Sequence, residues 1–131
     1  MICYESLFAD LARQQCLNGA TYLVNASNDA WYKTWSACEQ LLDMTVLRAV
    51  ENRRWLLRAV NHGISAAVDP CGRIVQSIGL EREGYFVQTI RLSDQTTFYA
   101  EHGPLLGWLW AIFGLGAALT IRLRPANGAK P

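Results

Sequence analysis

The chain has 131 residues, of which 51% are hydrophobic and 18% are charged, and its formal net charge is +1. This length fits one domain of ordinary size, and a chain so apolar and weakly charged lies outside the range of disordered sequences. Twelve basic and eleven acidic residues leave no excess charge for phosphates, which argues against nucleic-acid binding. Four cysteines without a CxxC pair predict neither a disulfide scaffold nor a zinc site, and we expect no cofactor.

Helical and strand-like patterns alternate along the first hundred residues, which predicts an α/β fold. Apolar residues at helical spacing indicate one helix over 6–18, which Gly19 caps, and a second over 37–54. A polar loop over 25–36 separates the first strand from the second helix. The predicted strands are 22–24, 55–60, 64–68, 74–78 and 85–92. The Asp-Pro-Cys-Gly turn at 69–72 predicts a hairpin between the strands that flank it.

The C-terminal part has a different character. Residues 103–121 carry no formal charge and, as a helix, would extend roughly 28 Å, about the hydrocarbon thickness of a bilayer. We therefore expect a transmembrane helix at 103–123 and a short basic tail at 124–131, with a buried helix of a soluble protein as the alternative. Arg122, Arg124 and Lys130 follow the apolar run, so the positive-inside rule places the tail in the cytoplasm and residues 1–101 across the membrane.

Cys3 is the first candidate for a catalytic residue. It lies just before the first predicted helix, near the positive end of its dipole, and Tyr4 and Glu5 follow it. The alternative is that Cys3 is an inert small apolar residue, which is how we interpret Cys16, Cys38 and Cys71.

The loop after the first strand is the second candidate. It carries Asn28, Asp29 and Trp31 at a strand end, where α/β proteins often build sites. The alternative is a turn in which Asn and Asp bond their own backbone. His62 is interpreted as a surface or packed histidine rather than a base.

Four segments together resemble a known family. They read ICYESLFADLAR, GATYLVNASNDAWY, LRAVENRRWLLRAVNHGISAAVDPCGRIV and TTFYAEHG, and an apolar helix follows them. This series is similar to the C-terminal part of bacterial apolipoprotein N-acyltransferases, members of the nitrilase (carbon-nitrogen hydrolase) superfamily. The resemblance implies that residues 1–101 are the C-terminal portion of an αββα sandwich on the periplasmic side of the inner membrane.

The resemblance also implies a reaction and its residues. These enzymes move an acyl chain from a phospholipid to the N-terminal amine of a diacylated lipoprotein, through a cysteine thioester and a Glu-Lys-Cys triad. The nucleophile falls on Cys3, and the supporting tyrosine and glutamate fall on Tyr4 and Glu5. The loop near the substrate falls on Asn28, Asp29 and Trp31.

The chain departs from the family pattern at the other two triad positions. In the family the glutamate and the lysine precede the cysteine, whereas here only Met1 and Ile2 do, and Lys33 and Lys130 match neither. We therefore expect a fragment that is inactive alone and needs a separate chain for the missing half. The alternatives are a non-enzymatic, membrane-tethered remnant and an amidase-like nitrilase fragment.

Overall fold

The computed structural model describes residues 1–32 and 34–123 and shows a four-stranded mixed sheet in the order β1-β2-β3-β4. The strands are β1 (Leu23–Asn28), β2 (Leu56–Asn61), β3 (Ser65–Val68) and β4 (Ile74–Ile78). A 3₁₀ helix (Cys3–Leu7) opens the chain. The α-helices are α1 (Ala9–Leu17), α2 (Trp35–Asn52), α3 (Phe98–His102) and α4 (Leu105–Leu123).

β1 and β2 form a parallel pair that α2 connects, while β2, β3 and β4 pair antiparallel. The predicted hairpin between β3 and β4 is confirmed. The Asp69 carboxylate accepts hydrogen bonds from the backbone N–H groups of Cys71 and Arg73, at 2.8 and 2.9 Å, and Gly72 supplies the positive φ of the turn. Short-range turn chemistry therefore determines this part of the sheet.

The single helix expected over 6–18 is wrong, because the chain breaks at Phe8. Phe8 is extended (φ −89°, ψ 102°), and the carbonyl before it, on Leu7, accepts a hydrogen bond from the buried Arg48 guanidinium at 3.2 Å. Cys3 therefore begins a five-residue 3₁₀ turn and does not lie at the end of the longer helix dipole.

Two strand predictions also need correction. β1 continues to Asn28, through positions expected to be loop, because the inward-facing Asn25 finds polar partners inside the protein. The strand expected over 85–92 does not form in the described structure. That segment is rich in aromatic and β-branched residues, but such a composition supplies no neighbouring backbone to pair with. Instead, Arg54 anchors the chain just beyond this segment by donating to the Gln95 carbonyl at 2.6 Å.

The apolar core lies between one face of the sheet and helices α1 and α2. Leu23 and Leu56, partners in the parallel register, are at most 1% exposed, and Val68 packs beside them. Ala12 and Leu42 cover them from the two helices. This face of β1 and β2 is apolar at the start of both strands and polar two residues later, where Asn25 lies opposite Arg58.

The C-terminal helix α4 forms where an apolar helix was expected. Three of its large side chains, Trp108, Ile112 and Phe113, are each about two-thirds exposed. Over the residues that the structure describes, the membrane-spanning helix predicted at 103–123 is not found, since none of the helices there combines the length and the hydropathy that crossing a bilayer requires. The tail predicted at 124–131 lies outside the described residues.

Candidate active site

Cys3 lies in a sharp turn at the end of a strand-like segment. Met1 and Ile2 run parallel to β1: the Met1 carbonyl accepts the Ala26 N–H at 3.1 Å, and Ile2 bridges to Ala26. The backbone of Cys3 then enters the left-handed region, at φ 51°, which costs free energy for a residue other than glycine. The thiol is free and half-buried. A strained turn at a strand end is a common way to present a reactive side chain.

The two residues after the cysteine stabilise this turn and link it to its surroundings. The Glu5 carboxylate accepts the Ile2 N–H at 2.7 Å, and the Glu5 N–H donates to the Ile2 carbonyl at 3.1 Å. The Tyr4 ring meets Tyr32 edge to face, with 6.2 Å between centroids. Tyr4 therefore brings the second predicted site loop next to the cysteine turn.

The second loop divides into exposed and internal residues. Asn28 is exposed, and its side-chain oxygen accepts the Ala30 N–H at 3.2 Å. This is an Asx turn, the alternative to a binding loop given in the sequence analysis. Trp31 is 83% exposed and free to contact a ligand. Asp29 is only 2% exposed, and its carboxylate accepts hydrogen bonds from Ser27 at 2.6 Å and Arg58 at 2.7 Å. The substrate contacts of all three remain predictions.

A buried polar network lies beneath the cysteine turn, and sequence reasoning missed it. At its centre, Arg58 is 3% exposed and donates to Asn25 at 2.5 Å, to Thr45 at 3.1 Å and to Asp29. Asn25 in turn donates to the carbonyl oxygen of Cys3 at 3.2 Å. One signal was available: Asn25 and Arg58 each lie two residues after a buried leucine, so they share its face of the strand.

The other thiols have different environments. Burial raises the pKa of Cys38, the nearby Asp29 carboxylate raises it further, and Arg58 partly opposes the shift. Burial likewise raises the pKa of Cys16, which keeps both groups protonated at neutral pH. Cys71 is exposed at the β3–β4 turn, with Arg53 Nη1 3.6 Å from its sulfur. Cys3 thus combines access to solvent with a constrained backbone. Within the described residues, no group of three His, Cys, Asp or Glu side chains could hold a metal ion.

Comparison with known sequences extends over most of the chain. A family model for carbon-nitrogen hydrolases matches residues 1–99. The apolipoprotein N-acyltransferase of Geobacter metallireducens is 39% identical over 108 residues, covering 82% of this chain and 21% of the relative. That of Gloeobacter violaceus is 45% identical over 102 residues, covering 78% of this chain and 19% of the relative. The chain therefore spans about a fifth of the length of these curated relatives.

Solved structures show a similar fold. A Saccharomyces cerevisiae protein of the nitrilase superfamily superposes with a TM-score of 0.54 at 26% identity, over 63% of this chain and 33% of that one. An amidase from Nesterenkonia sp. superposes with a TM-score of 0.52 at 27% identity, over 62% of this chain and 33% of that one. In a variant of this amidase, acrylamide is added at the active site cysteine.

Proposed function

The chain belongs to the carbon-nitrogen hydrolase family, and on that premise we propose that it is the nucleophile-bearing part of an apolipoprotein N-acyltransferase. The proposal rests on Cys3, whose thiol is free and whose backbone has a positive φ where a strand-like segment ends. Relatives that bear the acyltransferase name and match about four-fifths of the chain support it.

The proposed reaction has two acyl-transfer steps. The Cys3 sulfur attacks the acyl carbon of a phospholipid ester, the C–O bond breaks, and the lysophospholipid leaves with the proton that the thiol loses. The N-terminal amine of a lipoprotein then attacks the thioester, the C–S bond breaks, and a proton returns to sulfur as the amide forms. The second step reverses the attack of a cysteine on an amide, so a hydrolase fold can host it.

The residues around Cys3 are assigned supporting roles. Glu5 holds the cysteine turn through the Ile2 N–H, and Tyr4 packs against the neighbouring loop. In that loop we assign substrate contacts to Asn28 and Trp31, both exposed, and to Asp29 a contribution through the loop's conformation. Because the chain spans about a fifth of its relatives, the general base and the oxyanion donor are assigned to the remainder of the enzyme or to a separate chain.

We also propose that α4 is the membrane contact of this chain. Trp110, Phe113 and Leu115 are each at least 64% exposed, and so much apolar surface on one helix is typical of a segment that is covered by lipid or protein. From Arg122 in its last turn, we propose the orientation that the positive-inside rule predicts, with the C-terminus in the cytoplasm and residues 1–101 in the periplasm. In the membrane-inserted protein, a cytoplasm-active reporter fused after Pro131 should be active, and a silent but expressed fusion would reverse the orientation.

Acylation of the thiols tests the nucleophile directly. The chain is incubated with a short-chain p-nitrophenyl ester, and the acylated cysteines are mapped by mass spectrometry over time. We expect Cys3 to be acylated faster than Cys71, although Cys71 is the more exposed thiol. If exposure alone determined the rate, Cys71 would be acylated first, so the test distinguishes a nucleophile activated by its surroundings from a thiol that is merely accessible.

Two variants serve as matched controls. Cys3→Ser should abolish the fast acylation, while Cys71→Ser should leave it unchanged. Faster labelling of Cys71 in the parent chain, or equal rates at the two sites, would count against Cys3 as the nucleophile.

Amidase activity is the second candidate, favoured by the superposition on the Nesterenkonia amidase. Both functions begin with an acyl-cysteine, so they differ in what attacks it. If added peptide amine does not shorten the lifetime of the acyl-Cys3 while water hydrolyses it, the amidase assignment replaces the acyltransferase.

A further inference from the structure

Arg58 makes a set of contacts that ordinary packing does not require. It lies in the middle of β2, is 3% exposed, and reaches three side chains from three different parts of the fold: Asn25 in β1, Thr45 in α2 and Asp29 in the second loop. A buried ion pair is often no more stabilising than apolar residues of similar volume, because desolvation offsets the attraction. A role in fixing a particular geometry explains this pair better than stability alone.

The first route from Arg58 to the cysteine runs through Asn25. A guanidinium can only donate hydrogen bonds, so the Asn25 atom 2.5 Å from Arg58 Nη1 must be the carboxamide oxygen. The amide nitrogen then faces the other way, where it lies 3.2 Å from the Cys3 carbonyl oxygen and 3.5 Å from that of Met1. The charge on Arg58 therefore determines which way Asn25 points.

A second route runs through two hydroxyl groups. Arg58 Nη1 donates to Thr45 Oγ1 at 3.1 Å, and this hydroxyl donates to the Leu41 carbonyl at 2.7 Å and lies 3.1 Å from Ser6 Oγ. Ser6 donates to the Cys3 carbonyl oxygen at 3.3 Å. Two routes from one nitrogen of Arg58 thus converge on the carbonyl of the residue with positive φ.

The other end of the guanidinium holds the second loop. Arg58 Nη2 lies 2.7 Å from Asp29 Oδ2, and the Asp29 N–H donates to the Asn61 carbonyl at 2.9 Å. Asp29 follows the last residue of β1 and precedes the exposed Trp31. One buried side chain therefore contacts the supports of both loops that the candidate site contains.

We propose that Arg58 is a positioning residue for the nucleophile, acting through Asn25 and Ser6 on the Cys3 backbone and through Asp29 on the loop that carries Trp31. The role of Cys3 rests on the proposed function, whereas the structural link does not. We expect that, without the hydrogen bonds of the two Arg58 Nη atoms, Cys3 loses its left-handed backbone conformation while the fold persists.

The test compares two buried arginines. Arg58→Lys keeps the charge but loses the fork, and Arg54→Lys makes the same change at a residue that is 2% exposed and bonds the carbonyls of Ala20 and Gln95 instead. Two readouts are taken on each folded variant. One is the rate of ester acylation at Cys3 relative to Cys71, and the other is the three-bond HN–Hα coupling of residue 3, which reports its φ angle.

We expect Arg58→Lys to lower the Cys3 to Cys71 acylation ratio by about tenfold, since displacing a reacting group by an ångström can cost ~10²-fold in rate. The coupling at residue 3 should change in the same variant. Arg54→Lys should leave both readouts unchanged, even though it lowers stability. Equal responses from the two variants, or none from Arg58→Lys, would overturn the proposal.

A second variant keeps the test decisive if Arg58→Lys does not fold. Asn25→Asp retains an acceptor for Arg58 but has no N–H to donate to Cys3, so it should change the same two readouts. The acylation rates measured in the parent chain distinguish failure of the proposed function from failure of the positioning role. If its Cys3 is not acylated faster than Cys71, the proposed function fails. If it is, but the ratio and the coupling survive Asn25→Asp, only the positioning role fails.

Discussion

The two ends of the β1–β2 pair are built from different chemistry, although the same strands form both. At the starting end, Leu23 lies opposite Leu56, and both side chains are buried with Val68 in the apolar core. Two residues further, on the same face, Asn25 lies opposite Arg58, and both side chains make directed hydrogen bonds to polar partners.

Within one strand pair, different residues therefore stabilise the sheet and position the cysteine turn. Apolar burial is non-directional, so it stabilises the sheet without orienting any one polar group. Hydrogen bonds to a buried charge have narrow geometry, and leaving one partner unpaired is costly. The Leu23–Leu56 pair thus holds the sheet together, and the Asn25–Arg58 pair, nearer the strand ends where α/β folds place their sites, fixes the cysteine turn.

Asp29→Asn should have the largest effect, because it removes the negative partner of a buried guanidinium. Leaving such a charge uncompensated costs about 4 kcal/mol in the free energy of unfolding, which chemical denaturation measures. Asp43→Asn, on the exposed side of α2, is the matched control and should change stability by less than about 0.5 kcal/mol. Similar losses in the two variants would mean that the ion pair contributes nothing specific.

Leu56→Ala should destabilise the opposite end by about 3 kcal/mol, through lost burial and the cavity left behind. The same denaturation experiment measures the loss. Because Leu56 makes no directed contact with the network, the folded variant should keep the parent ratio of Cys3 to Cys71 acylation. A ratio that falls with stability would show that the two ends are not separable.

Gly63→Ala should cost about 1–3 kcal/mol, the usual range for overpacking. A Cβ at this position would lie 2.7 Å from Asp29 Oδ2 and 2.5 Å from Val60 Cγ1, so the polar end would have to shift. Gly79→Ala is the control, since a Cβ there meets no atom within 4 Å. Thermal unfolding of the two variants compares them, and equal midpoints would exclude a tight fit at Asp29.

Glu51→Gln should give the smallest effect, and that effect depends on pH. Burial raises the pKa of Glu51 and the neighbouring Arg48 only partly lowers it; among the described residues, Glu51 Oε2 has no hydrogen-bond partner. The folded state therefore releases this proton at higher pH than the unfolded chain does, so the parent loses stability as pH rises from about 4 toward 7.

The glutamine variant lacks that loss. Its unfolding free energy relative to the parent should rise between pH 4 and pH 7 in parallel denaturation series. A difference that stays constant across this range would mean that Glu51 titrates alike in the two states.

The sequence predicted features whose cause is local. The Asp-Pro-Cys-Gly turn determines its own hairpin through Asp69, and the apolar stripe of α2 locates that helix to within two residues at each end. The family resemblance placed the nucleophile on Cys3, which the structure shows at positive φ.

The features it missed have distant causes. The sequence predicts a loop from Asn25 because the partner of Asn25, Arg58, lies 33 positions away, and the break at Phe8 adjoins a hydrogen bond from Arg48 of another helix. A strand was predicted over 85–92, but no sequence pattern reveals whether a neighbouring backbone is present. Within the site, the family resemblance places Asp29 in the loop near the substrate, and that contact stays a prediction; the ion pair of Asp29 with the buried Arg58 is not visible in a linear motif.

The long separations within the polar network also bear on how the molecule folds. Asn25 and Asp29 meet Arg58 across 33 and 29 positions, and Ser6 meets Thr45 across 39, whereas the β3–β4 hairpin closes within a few residues. Closing a long loop costs chain entropy before any contact forms, so such pairings tend to assemble after local ones. We therefore expect the cysteine turn to form among the last steps, and substitutions in its supports to accelerate unfolding more than they slow folding.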